Sequence, residues 1–242
     1  MLPMSAENTR GSVVLLHGHG RTRHSMRKLE QACRRAGYRS FALGYNGHGK
    51  METILAGLHG PITAIERDTD GPIHFITHSL GGLVARAYIA KHRPERLGRV
   101  VMLAPPNKGS ELADLLSRLR LDHIVLGHSR RFLTLGRTPE HERVLGVVDY
   151  DLGIVAGTRA IAPLFSRLIL PTPNDGKVSV AATRVWGMKD FAMLPVPHML
   201  MPWEGRVIAH CLQFLERGDF GKGKPHPYVC IYMGGYNPCS VE

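Results

Sequence analysis

The sequence of 242 residues lacks the patterns that define several common classes of protein. No apolar run approaches the roughly 18 residues that a membrane span requires. The cysteines form no C-x-x-C pair and no spacing typical of a zinc site or a disulfide framework, so reduced thiols are expected. Residues 1–10 show no basic segment followed by an apolar one, so we expect no signal peptide and a cytoplasmic protein. The cysteines are Cys33, Cys211, Cys230 and Cys239.

Acidic residues are also scarce, with 20 Asp and Glu against 31 Lys and Arg, which gives a net charge of +11. Such a charge alone would suggest a nucleic acid or an anionic surface as partner. Much of the excess lies between residues 21 and 39, where Glu30 is the sole acid and no aromatic platform is interleaved. We therefore expect a solvated basic face, no nucleic-acid partner and at most a weak attraction to anionic interfaces.

Short apolar runs alternate with amphipathic stretches between residues 12 and 220. This alternation predicts an α/β fold in which helices cover both faces of a mostly parallel central sheet. The predicted strands are residues 12–16, 38–43, 73–77, 99–103, 152–156 and 190–194. The predicted helices are residues 22–36, 51–67, 80–92 and 203–217.

Some segments stand outside this alternation. Residues 1–11 are predicted to be an N-terminal extension, and residues 221–242, which show no periodicity, a flexible C-terminal tail. Residues 107–150 interrupt the alternation and are predicted to form a small cap insertion. A leucine stripe within it either lines a substrate entrance, contacts lipid or packs as ordinary core. Its members are Leu112, Leu115, Leu116 and Leu119.

A compact serine-containing turn joins the third predicted strand to the following helix. It reads T-H-S-L-G-G, with Ser79 at the nucleophile position of a G-x-S-x-G elbow and Thr77 in place of the first glycine. Such an elbow lifts the serine clear of the sheet. Small neighbours are needed because the nucleophile has a strained backbone and another chain segment passes close by. Ser79 is therefore the candidate nucleophile, with an ordinary helix N-cap as the alternative.

The motif H-G-H-G directly follows the first strand. An oxyanion hole takes one backbone NH from the residue after the nucleophile and one from the loop after an early strand. Leu80 and His19 occupy those positions. His17 and His19 could instead bind a metal, but the next carboxylate along the sequence is Glu30, a helix away. We expect neither a metal nor another cofactor.

A nucleophilic serine needs a base that is oriented by a carboxylate, and hydrolases with this elbow place them in the chain order Ser, acid, His. His198 lies in a proline-stiffened loop between the last strand and the last helix, where a positioned base belongs. Asp175 lies in an N-D-G turn after the fifth strand. The rival acids precede or begin strands, which places them at the opposite end of the sheet. These rivals are Asp149, Asp151 and Asp190.

The segments VVLLHGHGR, THSLGGLVAR, VVMLAPPNKGS, NDGKVSV and LPVPHMLM together resemble the α/β-hydrolase superfamily, in particular its small bacterial lipase-like and esterase-like members. The resemblance extends from about residue 12 to residue 220. It implies a serine hydrolase that cleaves small-molecule or lipid carboxylic esters through an acyl-enzyme. The implied site residues are the triad Ser79, Asp175 and His198 with the oxyanion donors His19 and Leu80.

Alternative functions stay open at this point. A thioesterase, an amidase or an acyltransferase uses the same triad, and a catalytically silent fold could serve for binding. Residues 44–50 match the G-x-x-x-x-G-K pattern of a P-loop, but Met51 stands where a magnesium-binding Ser or Thr is required, so we expect a sharp turn there. Arg21 and Arg23, just past the oxyanion loop, are expected near the mouth of the site.

Overall fold

The computed structural model describes residues 10–161 and 169–221, which are built around one six-stranded sheet. All of its paired strands are parallel, in the spatial order β2-β1-β3-β4-β5-β6. The predicted sheet is therefore confirmed, and each predicted strand is present with ends shifted by at most two residues. The strands are β1 (Ser12–Leu16), β2 (Arg39–Leu43), β3 (Ile73–His78), β4 (Leu97–Leu103), β5 (Leu152–Gly157) and β6 (Asp190–Leu194).

Helices follow most of the strands, as the alternation of the sequence predicts. The α-helices are α1 (Arg27–Arg35), α2 (Met51–Arg67), α3 (Leu80–His92), α4 (Glu111–Arg118), α5 (Asp122–Val125), α6 (Arg130–Leu133), α7 (Pro139–Leu145), α8 (Val180–Thr183) and α9 (Gly205–Arg217). Short 3₁₀ helices span Arg23–Met26, Gly127–Ser129 and His198–Trp203. The first predicted helix begins with such a 3₁₀ turn, and the last, predicted from residue 203, begins two residues later, after a 3₁₀ turn that ends at Trp203.

Two apolar cores lie on opposite faces of the sheet, because side chains alternate between the faces of a strand. On one face Val14 and Leu16 pack in a cluster with α2 and α3 residues. On the other, Val13 and Leu15 pack with residues of α1 and α9. A strand that is buried on both faces carries an unbroken apolar run, which is why β1 is readable from the sequence.

The register of the sheet brings the carboxyl ends of its strands to one edge. Leu16 at the end of β1 is paired with Thr77 in β3, and His78 is paired with Leu103 at the end of β4. Gly157 and Leu194 pair at the ends of β5 and β6. The loops after these strands therefore leave the sheet side by side, where ligands of open α/β sheets bind.

Residues 107–150, the predicted cap, contain α4 to α7 between β4 and β5. The leucine stripe has members in different surroundings, and nothing in the structure tests the lipid contact that the sequence left open. Leu112 lines the cleft that contains Ser79, and Leu116 is partly buried against one of the two cores. Leu119 is 59% exposed. The stripe is thus partly cleft-lining, partly packed on the core and partly exposed.

The predictions for the cysteines and the C-terminal tail can be compared with the structure only in part. Cys33 and Cys211 are buried free thiols, and burial raises the pKa of Cys33 to about 12. Cys230, Cys239 and nearly all of the predicted tail lie outside the described residues. Within residues 10–161 and 169–221, no helix combines the length and apolar character that crossing a bilayer requires.

Candidate active site

Ser79 sits at the sharp turn between β3 and α3 with a left-handed backbone, φ 53°. A non-glycine residue in this region is held at a cost of order 1–3 kcal/mol. Its NH donates to the Leu103 carbonyl at 2.8 Å, which fixes the turn to the neighbouring strand. Gly81 is needed for the close packing, because a Cβ there would lie 2.5 Å from the Leu16 carbonyl oxygen. The serine thus has the strained geometry that the elbow motif predicts.

Thr77, the departure from the elbow motif, is fully buried at the end of β3. Its hydroxyl group donates to the Val101 carbonyl at 3.4 Å. The extra side-chain atoms therefore fit between strands without displacing the turn, and the substitution leaves Ser79 in its elbow.

The loop after β1 approaches the serine closely. A Cβ on Gly18 would lie 3.1 Å from the Ser79 Cβ, so a side chain there would crowd the nucleophile. His19 follows and lines the same cleft as Ser79. Leu80 is the first residue of α3, and NH groups in a helix's first turn have no acceptor within the helix. Both predicted oxyanion donors therefore belong to segments that border Ser79.

His17 anchors this loop rather than lining the cleft. Its ring stacks on Tyr45 at 4.3 Å between centroids, and its Nδ1 donates to the Gly18 carbonyl at 2.9 Å. Its Nε2 accepts from the Tyr45 NH, and the Tyr45 hydroxyl group donates to the His17 carbonyl. Burial lowers the pKa of His17, which favours the neutral ring that these bonds require. The described residues contain no cluster of three or more His, Cys, Asp or Glu suited to a metal.

Asp175 and His198 meet through a hydrogen bond of 2.7 Å from Nδ1 to Oδ2. The Asp175 side chain has no exposed surface. Its other oxygen accepts from the backbone NH groups of Lys177 and Val178 at 2.9 and 2.8 Å. Gly157 makes room for this carboxylate, because a Cβ there would lie 2.7 Å from the Asp175 Cβ. The acid is therefore held in one orientation toward the imidazole.

His198 begins the 3₁₀ turn after β6 and is held by three contacts. Besides the bond to the carboxylate, its NH donates to the Asp175 carbonyl at 3.1 Å. Its own carbonyl accepts from Nε2 of His78 at 3.0 Å. Because Nδ1 donates to Asp175, Nε2 is left as the free ring nitrogen, and His198 lines the cleft with Ser79. The structure thus brings all three predicted triad residues to one edge of the sheet.

The rival acids lie at the other end of the strands. Asp190 begins β6 and accepts from the Phe220 NH at 2.6 Å. Asp149 pairs with Arg93, and Asp151 pairs with Lys189 at 2.7 Å. Each rival is thus bound where no predicted site residue lies.

His78 is a site residue that the sequence analysis did not single out. It precedes Ser79, lines the cleft, and its ring lies 4.8 Å from that of His198. Burial and the His198 ring lower its pKa well below the ordinary value, so His78 is neutral. With Nε2 donating to His198, its Nδ1 is a buried acceptor without a partner among the described residues. Its position in the elbow motif, next to Ser79, is the one sequence feature that could have indicated His78. Its contact with His198 depends on the tertiary fold.

The glycine-rich segment 44–50 forms a turn between β2 and α2, as expected. The Gly49 NH donates to the Asn46 carbonyl at 2.9 Å. The Gly47 and His48 carbonyls accept from Ser129 and His128 of the predicted cap. The turn thus presents carbonyl groups to the cap, whereas a P-loop presents NH groups to phosphate.

Comparisons with known proteins agree with this architecture. The family model described as alpha/beta hydrolase fold matches residues 11–127. A Bacillus licheniformis lipase, BlEst2 in its mature form, aligns with a TM-score of 0.64 at 18% identity, over 81% of this chain and 88% of the lipase. The metagenomic carboxyl esterase MGS0156 aligns with a TM-score of 0.61 at 19% identity, over 83% of this chain and 68% of that one. Phospholipase PlaB from Legionella pneumophila aligns with a TM-score of 0.56 at 23% identity, over 71% of this chain and 45% of PlaB.

No curated protein sequence matches the chain significantly. The parallel sheet, the serine elbow and the family model define the class as a hydrolase-fold protein. The chain has the α/β-hydrolase fold that its sequence motifs indicated, and the solved structures that resemble it include a lipase and a carboxyl esterase.

Proposed function

We propose that the protein is a serine hydrolase that cleaves carboxylic esters with the triad Ser79, Asp175 and His198. The observation that carries this proposal is the 2.7 Å bond between a fully buried carboxylate and His198, at a cleft that also contains a serine on a strained elbow. A hydrolase is the coarser statement that the fold and its lipase and esterase neighbours support.

The reaction begins with proton transfer from the Ser79 hydroxyl group to Nε2 of His198 while Oγ attacks the ester carbonyl carbon. The imidazolium then protonates the departing alcohol, which leaves an acyl group on Ser79. Water, deprotonated by the same nitrogen, attacks the acyl-enzyme, and the acid departs as Ser79 regains its proton. Asp175 keeps the Nδ1 proton in place and stabilises the imidazolium in both steps.

Negative charge on the carbonyl oxygen is stabilised in this proposal by the backbone NH groups of His19 and Leu80. The positive end of α3 points to the same oxygen, which adds a fixed dipole. Burial and the neighbouring His48 lower the pKa of His19 to about 4, so its ring is uncharged at neutral pH. Stabilisation at this position therefore comes from the backbone and not from a charged imidazole.

The predicted cap supplies apolar walls for the acyl or alcohol group. Leu112, Ala113 and Leu133 line the cleft beside Ser79. A small-molecule or lipid ester fits such walls better than a polar peptide does. We place the enzyme in the cytoplasm on the sequence prediction alone. A thioesterase, amidase or acyltransferase would use the same residues, so the substrate panel below includes a thioester and an amide.

Labelling with a fluorophosphonate probe and hydrolysis of 4-nitrophenyl butyrate test the proposal together. Wild type should be labelled and active, whereas Ser79→Ala should lose labelling and about 10⁴-fold or more of kcat. The matched control is Ser117→Ala, which removes an exposed hydroxyl group of α4 and should retain both properties. Absence of labelling in wild type would instead favour a silent binding protein. Faster turnover of the matched thioester or amide would reassign the substrate class.

A further inference from the structure

Two cationic side chains, those of Arg21 and Lys177, line the cleft that contains Ser79. Arg21 lies in the loop after β1, and Lys177 lies in the loop that carries Asp175 after β5. In the sheet, β3 with its serine turn lies between β1 and β5. Substrate in the cleft therefore lies between the segments that carry the two cations.

These cations have no counter-ion in the cleft. Within residues 10–161 and 169–221, no acidic side chain lines the cleft, and neither Arg21 nor Lys177 takes part in an ion pair. Asp175 is close, but its oxygens are already bound by His198 and two backbone NH groups. Elsewhere on the surface, by contrast, Lys189 pairs with Asp151 at 2.7 Å.

The uncompensated positive charge affects the pKa values of neighbouring groups. Partial burial and then the Arg21 charge lower the pKa of Lys177. Both cations also contribute to the lowered pKa of His78. Positive groups that repel one another across a cleft with apolar walls create a local field that attracts anions. An anion bound there would remove the repulsion.

We propose that the natural ester carries an anionic oxygen group, a carboxylate or a phosphate, a few bonds from the scissile carbonyl, and that Arg21 and Lys177 bind this group. The guanidinium group of arginine matches the planar fork of a carboxylate or two phosphate oxygens, and the ammonium group of lysine adds a flexible point charge. Arg21 and Lys177 are then specificity-determining residues of the proposed esterase, on which this inference rests.

A competing role for Lys177 is to tune Asp175, to which its charge is coupled. The two roles differ in what they change. An effect on Asp175 would alter the turnover of every ester by a similar factor, whereas anion binding acts through KM and on charged esters alone. A pair of substrates that differ in one charge therefore separates them.

The test compares 4-nitrophenyl hydrogen glutarate with 4-nitrophenyl valerate, which share the acyl length and differ in a carboxylate. A second pair, dihexanoyl phosphatidic acid and dihexanoyl phosphatidylcholine, differs in the exposed phosphate charge. Wild type should prefer the anionic member of at least one pair by kcat/KM. In the double variant Arg21→Gln/Lys177→Gln this preference should fall at least tenfold, mainly because KM for the anionic ester rises. When the salt concentration is raised from 0.05 to 0.5 M, the wild-type preference should disappear, whereas the double variant should show no such salt dependence. The pair that responds identifies carboxylate or phosphate as the bound group.

The matched control is Arg23→Gln/Lys91→Gln, which removes the same two charges from outside the cleft. Arg23 and Lys91 are exposed, and neither lines the cleft. This variant should keep the wild-type preference. Equal kcat/KM within both substrate pairs in wild type, or a preference that survives in Arg21→Gln/Lys177→Gln, would overturn the inference while leaving the esterase proposal intact.

Failure of the esterase proposal has a different signature. If wild type turns over none of these esters, calorimetric titration with the glutarate monoester decides the inference separately. Saturable binding that is lost in Arg21→Gln/Lys177→Gln and kept in Arg23→Gln/Lys91→Gln would support an anion site without ester chemistry. Equal binding to both variants would overturn the site as well.

Discussion

Charged side chains are arranged differently at the edge where the parallel strands begin, the amino end of the sheet, and at the edge where they finish, its carboxyl end. At the amino end, Asp151 pairs with Lys189, and Asp190 accepts a hydrogen bond from the Phe220 NH. At the carboxyl end, Arg21 and Lys177 face the cleft without ion pairs in the described part of the chain. The acidic side chains at the amino end are thus paired, whereas the two cations at the carboxyl end are not paired within the described residues.

Backbone strain follows the same division, although the Tyr150 hydroxyl group shows that a buried polar atom without a partner in the described structure also occurs at the amino end. Ser79 holds a positive φ at the carboxyl end, and Nδ1 of His78 and Nε2 of His19 are buried there without partners among the described residues. Unsatisfied buried atoms and strained backbone reduce stability, and such costs concentrate at functional sites. The strained serine and the unpaired cations therefore distinguish the carboxyl end from the amino end, where the acidic side chains are paired.

The largest expected contrast between the ends comes from two conservative acid substitutions. Asp175→Asn should lower kcat by about 10³ to 10⁴-fold, because the amide cannot hold the Nδ1 proton of His198 or stabilise its cation. Asp190→Asn should leave kcat within twofold and cost about 1 kcal/mol of unfolding free energy, since one backbone donor loses a charged acceptor. Steady-state kinetics and urea unfolding measure the two effects. Equal losses of kcat in both variants would contradict the difference between the two ends and the assignment of Asp175 as the acid of the triad.

The next contrast uses two glycines in different surroundings. At Gly157, an added Cβ would contact the Val196 carbonyl oxygen and lie 2.7 Å from the Asp175 Cβ. Gly157→Ala should therefore displace the acid, with a cost of about 2–3 kcal/mol in stability and at least tenfold in kcat. Gly57 lies within α2 with no heavy atom within 4 Å of an added Cβ.

Gly57→Ala is the matched control and should stabilise the protein by about 0.5–1 kcal/mol, because alanine restricts the unfolded chain and favours the helix. Thermal unfolding and kcat should be measured for both variants under the same conditions. If Gly157→Ala is as active and as stable as Gly57→Ala, the acid loop is not packed against β5 as described.

The buried histidine His74, near the start of β3, should make the stability of the protein depend on pH. His74 accepts from the Arg99 NH at 2.8 Å, and burial, then the Arg99 charge, lower its pKa to about 4. Its folded pKa lies below the unfolded value near 6.5, so the unfolded chain binds more protons between those values. The stabilising contribution of neutral His74 is therefore complete above about pH 6.5 and is lost as the pH falls toward 4.

His74→Gln should remove this dependence, which amounts to about 2 kcal/mol between pH 8 and pH 5. The measurement is urea unfolding of both proteins across that range, read as the difference in pH slope, since the other buried histidines contribute equally to both. His24→Gln, at an exposed position, is the control and should retain the wild-type slope. An unchanged slope in His74→Gln would show that His74 is not the group that titrates.

Much of the sheet could be predicted from the sequence because its strands are buried on both faces. The apolar run of β1 and the elbow at Ser79 are local patterns, and each follows from what a parallel sheet and a strand-to-helix turn require. Even β6, Asp190–Leu194, was predicted at its exact bounds from an apolar segment. Short α5 and α6 were missed, because helices of one turn depend on packing more than on periodicity.

The candidate site residues could be predicted where their positions relative to the strands leave few candidates for the acid and the base. Asp175 and His198 were selected because loops after strands end at one edge of the sheet, and the structure joins them there. The bond from His78 to the His198 carbonyl and the convergence of Arg21 with Lys177 were beyond local patterns. Residues 21 and 177 are distant in sequence, so their shared cleft is a property of the strand order.

The smallest expected effect tests how far charge pairing accounts for the stability of the amino end. Arg93 contacts both carboxylate oxygens of Asp149 at 2.8 Å, but the side chains are 50% and 56% exposed. Water screens such a pair and both side chains lose rotamer freedom, so Asp149→Asn should cost no more than about 0.5 kcal/mol, and less in 1 M salt. Urea unfolding with and without salt measures this difference, with kcat unchanged as the check on the distant site. A loss above about 1.5 kcal/mol would mean that the ion pairs, rather than the two apolar cores, are the main support of this end of the sheet.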